Sequence, residues 1–454
     1  MKRIGVLHYS VAAQIQLGGD GADCRLTVGW NPGVAVLIKR RRVVITGLGV
    51  VAPNGIGKER FGDALLSGQS GITKISSHDD SDLPCHVIAR VTDFDISACL
   101  DRRDRYRDKS MSRVSQFAVA SAQMALQDAG IDPVKLDPFR TGICYGATTG
   151  KPDFDSDAAK FSQSGVAGLD PTAWAEFSPH APAAHIAKEL GFSGPVATTS
   201  AGCCTGLLVI DWGADRIATG RLDTVLVGSG DSLLSPLVLA AFGAGKLLTK
   251  QSDVRKASRP YDLQRDGLVP GEAAGAILLE SLEAALERDA PIYAEYLGYG
   301  SAVDSNRPGE RDRNGEGLAR AIKTALHSAG LSAGQIDCIN SHGLSHPVFD
   351  LLETQGFKSA LGDAAYSLSI TSIKPMTGAS FAGDGILQAI SSCLILERGV
   401  IPAIPALETP DPACDLDYVV KKPRAARVRR ILTNTRALGG ANAVVILGRV
   451  NGSP

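Results

Sequence analysis

Apolar positions along the chain follow two alternating rhythms. Val43–Val51 is a nearly unbroken apolar run that predicts a buried strand. Ser115–Ala129 places Phe117, Ala118, Ala120, Ala122, Met124, Ala125 and Leu126 at helical spacing, and Gly130 then stops the helix. Thr141–Tyr145 predicts a short strand. Ala183–Leu190 predicts a helix that follows a proline and ends at Gly191. Gly206–Ala218 predicts another, ending at Gly220, and Thr224–Val227 a further strand. Strand and helix patterns in this alternation predict an α/β fold built in layers.

The pattern also repeats. Ser121-Ala-Gln-Met-Ala125-Leu126-Gln-Asp-Ala129-Gly130-Ile131, running on to Asp137, is matched 200 positions later by Ala321-Ile-Lys-Thr-Ala325-Leu326-His-Ser-Ala329-Gly330-Leu331, running on to Asp337. Gly206 to Gly220 brackets one helix, and Gly385 to Gly399 brackets another of equal length. The chain therefore divides into two similar α/β halves, residues 39–270 and 271–454, with sites expected where the halves face each other. Pro152–Trp174 and Ser301–Asn314 read as loop inserts that cap such a site. Residues 1–38 read as an extension of unknown order. Its basic start is interrupted by His8, Gln14 and Gln16, so a secretory signal is not expected.

Composition narrows the function. A net charge of −1 excludes bulk nucleic-acid or membrane-surface binding. No apolar run reaches the roughly 18 residues of a membrane span. The nine cysteines include no C-x-x-C pair, so zinc-site spacing is absent. Their odd number predicts reduced thiols and a cytoplasmic setting.

Four polar stretches carry the candidate chemistry. In Val196-Ala-Thr-Thr-Ser-Ala-Gly-Cys203-Cys204-Thr-Gly206, two cysteines precede a buried helix. Free N–H groups and the helix dipole at that end favour an anion, which lowers a thiol pKa. A buried cysteine is otherwise a small hydrophobe. His342 follows the apolar pair Cys338-Ile339, and Lys374 closes Ser369–Ile373 before a glycine-rich turn. Ile431–Asn434 runs into the Gly439-Gly440 turn. Each stretch is expected at a strand-to-helix junction, where α/β proteins bind ligands. Singly, each has an ordinary reading as a solvated turn.

Together and in order, these stretches resemble the β-ketoacyl-ACP synthases, condensing enzymes of the thiolase-like fold. The resemblance runs from about Arg41 to Val450. It rests on Val43–Gly57, on Ala257-Ser-Arg-Pro-Tyr-Asp262 with Arg265-Asp266-Gly267 to Glu272, and on the cysteine stretch. Asn340-Ser-His342-Gly343 with Pro347, Asp350 and Glu353, and Lys374-Pro-Met-Thr-Gly378, complete it. It implies two duplicated βαβαβαββ halves in an αβαβα arrangement. It also implies that Cys203, aligned on Gly206 and Gly220, takes an acyl group from acyl-ACP and condenses it with malonyl-ACP. The backbone N–H groups of Cys203 and Leu438 would form the oxyanion hole. His342 would hydrogen-bond the malonyl thioester oxygen, and Lys374 would orient His342. The implied partners are an acyl carrier protein and a second chain, in a homodimer or a heterodimer with a related ketosynthase chain. No cofactor and no metal are implied. The cluster Arg102, Arg103, Arg105, Arg107, Lys109 and Arg113 is a candidate docking face for an acidic carrier.

The chain departs from the family at several points. Ala379 stands where the family has its second catalytic histidine, and Asp384 where it has a small residue. The family's Asn-Ser-Phe-Gly-Phe-Gly-Gly-Thr-Asn gating loop is Asn434-Thr-Arg436-Ala437-Leu438-Gly439-Gly440-Ala441-Asn442. Leu344 and His346 replace the two threonines after His342-Gly343. Leu344, His346, Ala379, Arg436 and Leu438 are thus the expected substrate and gating positions. Three readings stay open: an extending synthase, a non-extending acyltransferase or specialised condensing enzyme, and a non-catalytic partner subunit.

Overall fold

The structure, a computed structural model, describes residues 14–17, 24–29, 35–75, 83–98, 111–151, 153–171, 173–304 and 314–450. Within 14–39, the strands Gln14–Leu17, Cys24–Gly29 and Ala35–Lys39 pair antiparallel in a sheet of their own.

The first half is built from β1 (Val43–Ala52), α1 (Arg113–Ala129), β2 (Thr141–Gly146), α2 (Ala181–Leu190), β3 (Val196–Ala197), α3 (Thr205–Ala218), β4 (Thr224–Ser232) and β5 (Glu272–Ser281). The second half is built from β6 (Ala294–Val303), α4 (Glu316–Ala329), β7 (Cys338–Asn340), α5 (Pro347–Leu361), β8 (Ser369–Thr371), α6 (Ala382–Arg398), β9 (Arg430–Arg436) and β10 (Ala441–Gly448). Strands lie in the order β3-β2-β4-β5-β1 in one half and β8-β7-β9-β10-β6 in the other. Counted along each half, the two orders are the same. The two sets join edge to edge where Ala294–Tyr296 of β6 pairs with Val43–Ile45 of β1. Glu272–Ser281, placed with the second half by the sequence division, pairs with β4 and β1 of the first.

The repeat read in the sequence is a repeat in space. Both α1 and α4 end on a glycine in the left-handed region, Gly130 at φ 67° and Gly330 at φ 64°. Each is followed by one 3-10 turn, Pro133–Lys135 or Ala333–Gln335, and then by β2 or β7. Ser112 caps α1 by accepting the Ser115 N–H.

Helices α3 and α6 pack on each other and between the two sets of strands, forming the middle layer. A Cβ on Gly206 would lie 2.2 Å from the Ile386 amide nitrogen, so the crossing is made backbone to backbone. Leu207, Ile210, Ile217, Ile386, Ile390 and Leu394 join residues of both strand sets in one core. Outside it, α1 covers β1, β5 and β4, while α4 covers β6 and β10. This is the αβαβα layering expected from the resemblance.

Three expectations are corrected. Thr224–Val227 continues as strand to Ser232. Gly228 and Gly230 hide that extension in the pattern, yet a Cβ at 228 would sit 2.5 Å from the Gly275 carbonyl and 2.6 Å from the Tyr145 ring. Pro152–Trp174 is not loop throughout: Phe154–Ser164 is a helix with Asp155 and Asp157 in its first turn, where its dipole favours them. In the Ser301–Asn314 insert, Ser301–Val303 belongs to β6, and residues 305–313 lie outside the described residues.

Candidate active site

Three loops meet above the middle layer. The first joins β3 to α3. It turns at Gly202, φ 56°, and Thr205 laces it by donating to the Gly202 carbonyl at 2.7 Å and accepting the Ala201 N–H at 2.8 Å. Cys204 occupies the cap of α3, and its thiol points to the β9–β10 hairpin, at 3.3 Å from the Ala441 carbonyl. Cys203, one residue earlier, is the thiol that enters the site. Its Sγ, a ring nitrogen of His342 and a carboxylate oxygen of Asp384 all lie within 4.8 Å of one another.

The second loop joins β7 to α5 and carries His342, which is 3% exposed. The His342 and Gly343 amides donate to Glu353, at 2.9 and 3.0 Å. Glu353 also accepts from Asn434 and Tyr261. Asp350 accepts the Leu344 and Tyr261 amides and faces Arg265 at 3.6 Å. Tyr261 and Arg265 of the signature therefore brace the histidine loop, since Arg265 also donates to the Pro347 carbonyl, while Asp262 holds the Glu408 and Thr409 amides.

The third loop joins β8 to α6. Lys374, 2% exposed, opens a short helix to Thr377, and its Nζ lies 3.3 Å from Asp384 Oδ1. His342 Nε2 lies 3.2 Å from Asp384 Oδ2. Ser380 adds its N–H at 2.8 Å and its hydroxyl at 3.2 Å to Oδ1. Burial acts to raise the Asp384 carboxyl, but Lys374 and then His342 outweigh it and hold it below 3.8.

Electrostatics correct one expectation outright. The helix terminus was expected to lower the thiol pKa, yet Cys203 is pushed well above the ordinary thiol value. Burial is the main cause, and the Asp384 charge adds to it. Lys374 opposes both and loses.

The remaining sequence candidates separate. Ala379 is buried, its N–H donating to Val269 and its carbonyl accepting from Gly271, so it fixes the loop. Leu344 shares an apolar cluster with Ala379, Leu248 and Leu268. His346 does not reach the site: its Nδ1 caps α5 by accepting the Val348 N–H at 3.2 Å, and its ring lies against Phe349. Arg436 pairs with Asp304 at 2.6 Å and, with Leu344 and Phe349, lines a narrow cleft leading to His342. The Gly439-Gly440 stretch is a strand-to-strand hairpin between β9 and β10, not a strand-to-helix junction. Leu438 on its tip is 45% exposed. The hairpin leans on the cysteine turn, where a Cβ on Gly202 would be 3.2 Å from Ala437. Of the basic cluster, Arg102, Arg103, Arg105, Arg107 and Lys109 lie outside the described residues. Arg113 is not available for docking, because Glu272 grips it at 2.6 and 2.8 Å.

Two further residues escaped the sequence reading. Asp231, at the end of β4, accepts the Thr148 N–H and hydroxyl and the Ala382 N–H. Burial raises its pKa from 3.8 to about 7. Phe381 holds φ 51°, an uncommon value for a non-glycine residue, and stacks on Phe242 beside Cys203. Gly228 and Gly230 break the apolar pattern before Asp231, which hid its place at the end of β4.

A duplicated αβαβα core with this three-loop site defines the thiolase-like class. Residues 40–285 match the family model "Beta-ketoacyl synthase, N-terminal domain", and residues 293–408 match "Beta-ketoacyl synthase, C-terminal domain". The chain belongs to the β-ketoacyl synthase family. It is 36% identical over 418 residues to the tetracenomycin polyketide synthase ketoacyl synthase alpha subunit of Streptomyces glaucescens, covering 90% of this chain and 97% of that one. It is 34% identical over 420 residues to 3-oxoacyl-[acyl-carrier-protein] synthase 2 of Coxiella burnetii, covering 91% and 100%. Among solved structures, the ishigamide ketosynthase/chain length factor matches with a TM-score of 0.83 at 33% identity, covering 91% of this chain and 100% of that one. A type II polyketide acyl-carrier protein in complex with its hexaketide-bound ketosynthase matches with a TM-score of 0.81 at 30% identity and the same coverage.

Proposed function

We propose that this chain is a condensing acyltransferase in which Cys203 accepts an acyl group from an acyl carrier protein and passes it to the carbon of a malonyl unit. The observation that supports this most directly is the placing of Cys203. It stands at the N-terminal end of α3 and faces His342 and Lys374, which come from the other half of the chain. The Cys203 thiol loses its proton as its sulfur attacks the acyl thioester, and the carrier thiol leaves. Malonyl thioester then loses CO2, its α-carbon attacks the acyl-Cys203 carbonyl, a C–C bond forms and the cysteine sulfur departs. The product is a 3-oxoacyl thioester two carbons longer. The amides of Cys203 and Leu438 would bind the oxyanion of each addition. His342 would donate to the malonyl thioester oxygen as the enolate forms.

Assembly belongs to the same reading. Among the described residues, strand β3 ends the sheet path with one edge unpaired, and Trp174, on the connection between β2 and β3, is 75% exposed. A second copy or a related ketosynthase chain would cover that edge. Two related solved structures are a ketosynthase with a chain length factor and a ketosynthase with its carrier protein, which suits this proposal.

A second reading, acyl transfer without extension, is favoured by one observation: Asp384 lies 3.2 Å from His342 Nε2, and the resemblance puts Ala379 where a second enolate donor would stand. Intact mass spectrometry with acyl-ACP and then malonyl-ACP separates the two. An acyl adduct on Cys203 followed by a 3-oxoacyl-ACP two carbons longer is the expected result. An adduct with no extended product supports the second reading. No adduct from any acyl chain length overturns both and leaves a partner subunit.

A further inference from the structure

Enolate formation needs donors that are free when the malonyl thioester arrives. In this site they are engaged by the protein's own carboxylate. His342 Nδ1 accepts the Arg436 N–H at 3.3 Å, which assigns the ring proton to Nε2. That N–H points to Asp384 Oδ2 at 3.2 Å. Lys374 Nζ is spent on the other oxygen at 3.3 Å. Asp384 is 1% exposed, so bulk solvent hardly reaches these contacts. The anion position that a thioester enolate would fill thus already holds an anion, and the lysine charge is cancelled within the site.

We propose that Asp384 is a positioning residue that weighs unequally on the two half-reactions: by holding His342 Nε2 and Lys374 Nζ, it slows decarboxylation of the malonyl thioester most, while acylation of Cys203 still proceeds. This rests on Cys203 being the acyl acceptor, as proposed above. Charge argues the same way. The groups facing Asp384 are Lys374, His342, Cys203 and, further off, Asp231. Asp384 is held below its ordinary pKa, so it stays charged across the neutral range and a modest pH change does not release it. A fixed negative charge beside the reacting carbon opposes a carbanion as it opposes the Cys203 thiolate.

A plainer role would be that of counter-ion, since a buried lysine needs one. The two roles part on substitution. A pure counter-ion, once removed, destabilises the fold and quickens nothing. Asp384→Asn keeps the shape and removes the charge, so its hold on His342 and Lys374 falls to that of a neutral amide. The full chain and this variant are compared on three readouts: CO2 release from malonyl-ACP, the pH midpoint of Cys203 alkylation by iodoacetamide, and the Cys203 acyl adduct by mass. The expected result is CO2 release about 10²-fold faster, with the alkylation midpoint lowered by about one unit or more and the adduct retained. If Asp384→Asn does not fold, Asp384→Ala carries the same expectations. A folded variant with unchanged or slower CO2 release and an unmoved midpoint overturns the proposal. Should the parent chain form no adduct, the condensing function fails on its own. The midpoint then still decides on Asp384: a fall supports its charge acting on Cys203, and no change overturns it.

Discussion

Two adjacent cysteines have opposite fates because their side chains leave the same turn in different directions. Cys204 is held by the hairpin carbonyls and Cys203 faces His342 and Asp384. Cys204→Ala is therefore expected to keep the acyl adduct and Cys203→Ala to lose it, read by peptide mass after incubation with acyl-ACP. The buried acids make a second prediction. Burial lifts both Asp231 and Asp350 from 3.8 to about 7. Their folded pKa lies above the unfolded one, so the stability they contribute is complete below pH 3.8 and drains away as pH rises through about 7. Asp384 and Asp223, held low by lysine or arginine partners, act in the opposite sense and lose their contribution only in acid. Urea titrations are expected to show unfolding free energy falling between about pH 5 and about pH 8. In Asp231→Asn that fall should be shallower.

Elements meet here through missing side chains. Gly206 lets α3 lie on α6, and a valine at 206 has nowhere to go, because its neighbour is a backbone nitrogen rather than a movable side chain. Gly206→Val is expected to cost about 3 kcal/mol or more, measured by chemical denaturation. The sequence showed these helices clearly. α1 was read within two residues of its start because alanines at helical spacing end on a glycine cap. What it obscured was how those glycines are used, as at Gly206 and Gly228, where they permit contact instead of marking a turn. The site was legible in the same uneven way. Cys203, His342 and Lys374 were readable because each ends or follows a strand. Asp384 stood out only as an acid in a row of small residues. Its partner His342 lies 42 positions away, and nothing in spacing brings two such residues within 3.2 Å. His346 shows the complementary case: four residues from His342 in sequence, its Nδ1 caps its own helix.

At the scale of the molecule, the two halves share one strand order, but they have divided the chemistry. One presents Cys203 and the other presents His342, Lys374 and the hairpin. The middle layer belongs to neither half. Helix α3 from the first half is covered by α6 from the second, so each is the other's shelter from water. A half taken alone would expose one whole apolar face of that layer. The two family-model regions are accordingly not two units of cooperativity. Calorimetry of the intact chain is expected to show one unfolding transition rather than two, with calorimetric and van't Hoff enthalpies in agreement. Cutting the connection between β5 and β6 should yield fragments that regain structure only when refolded together. An ancestor with a single half would have faced the same exposed layer. The arrangement of α3 against α6 therefore suits a pair of identical chains that docked before they were fused.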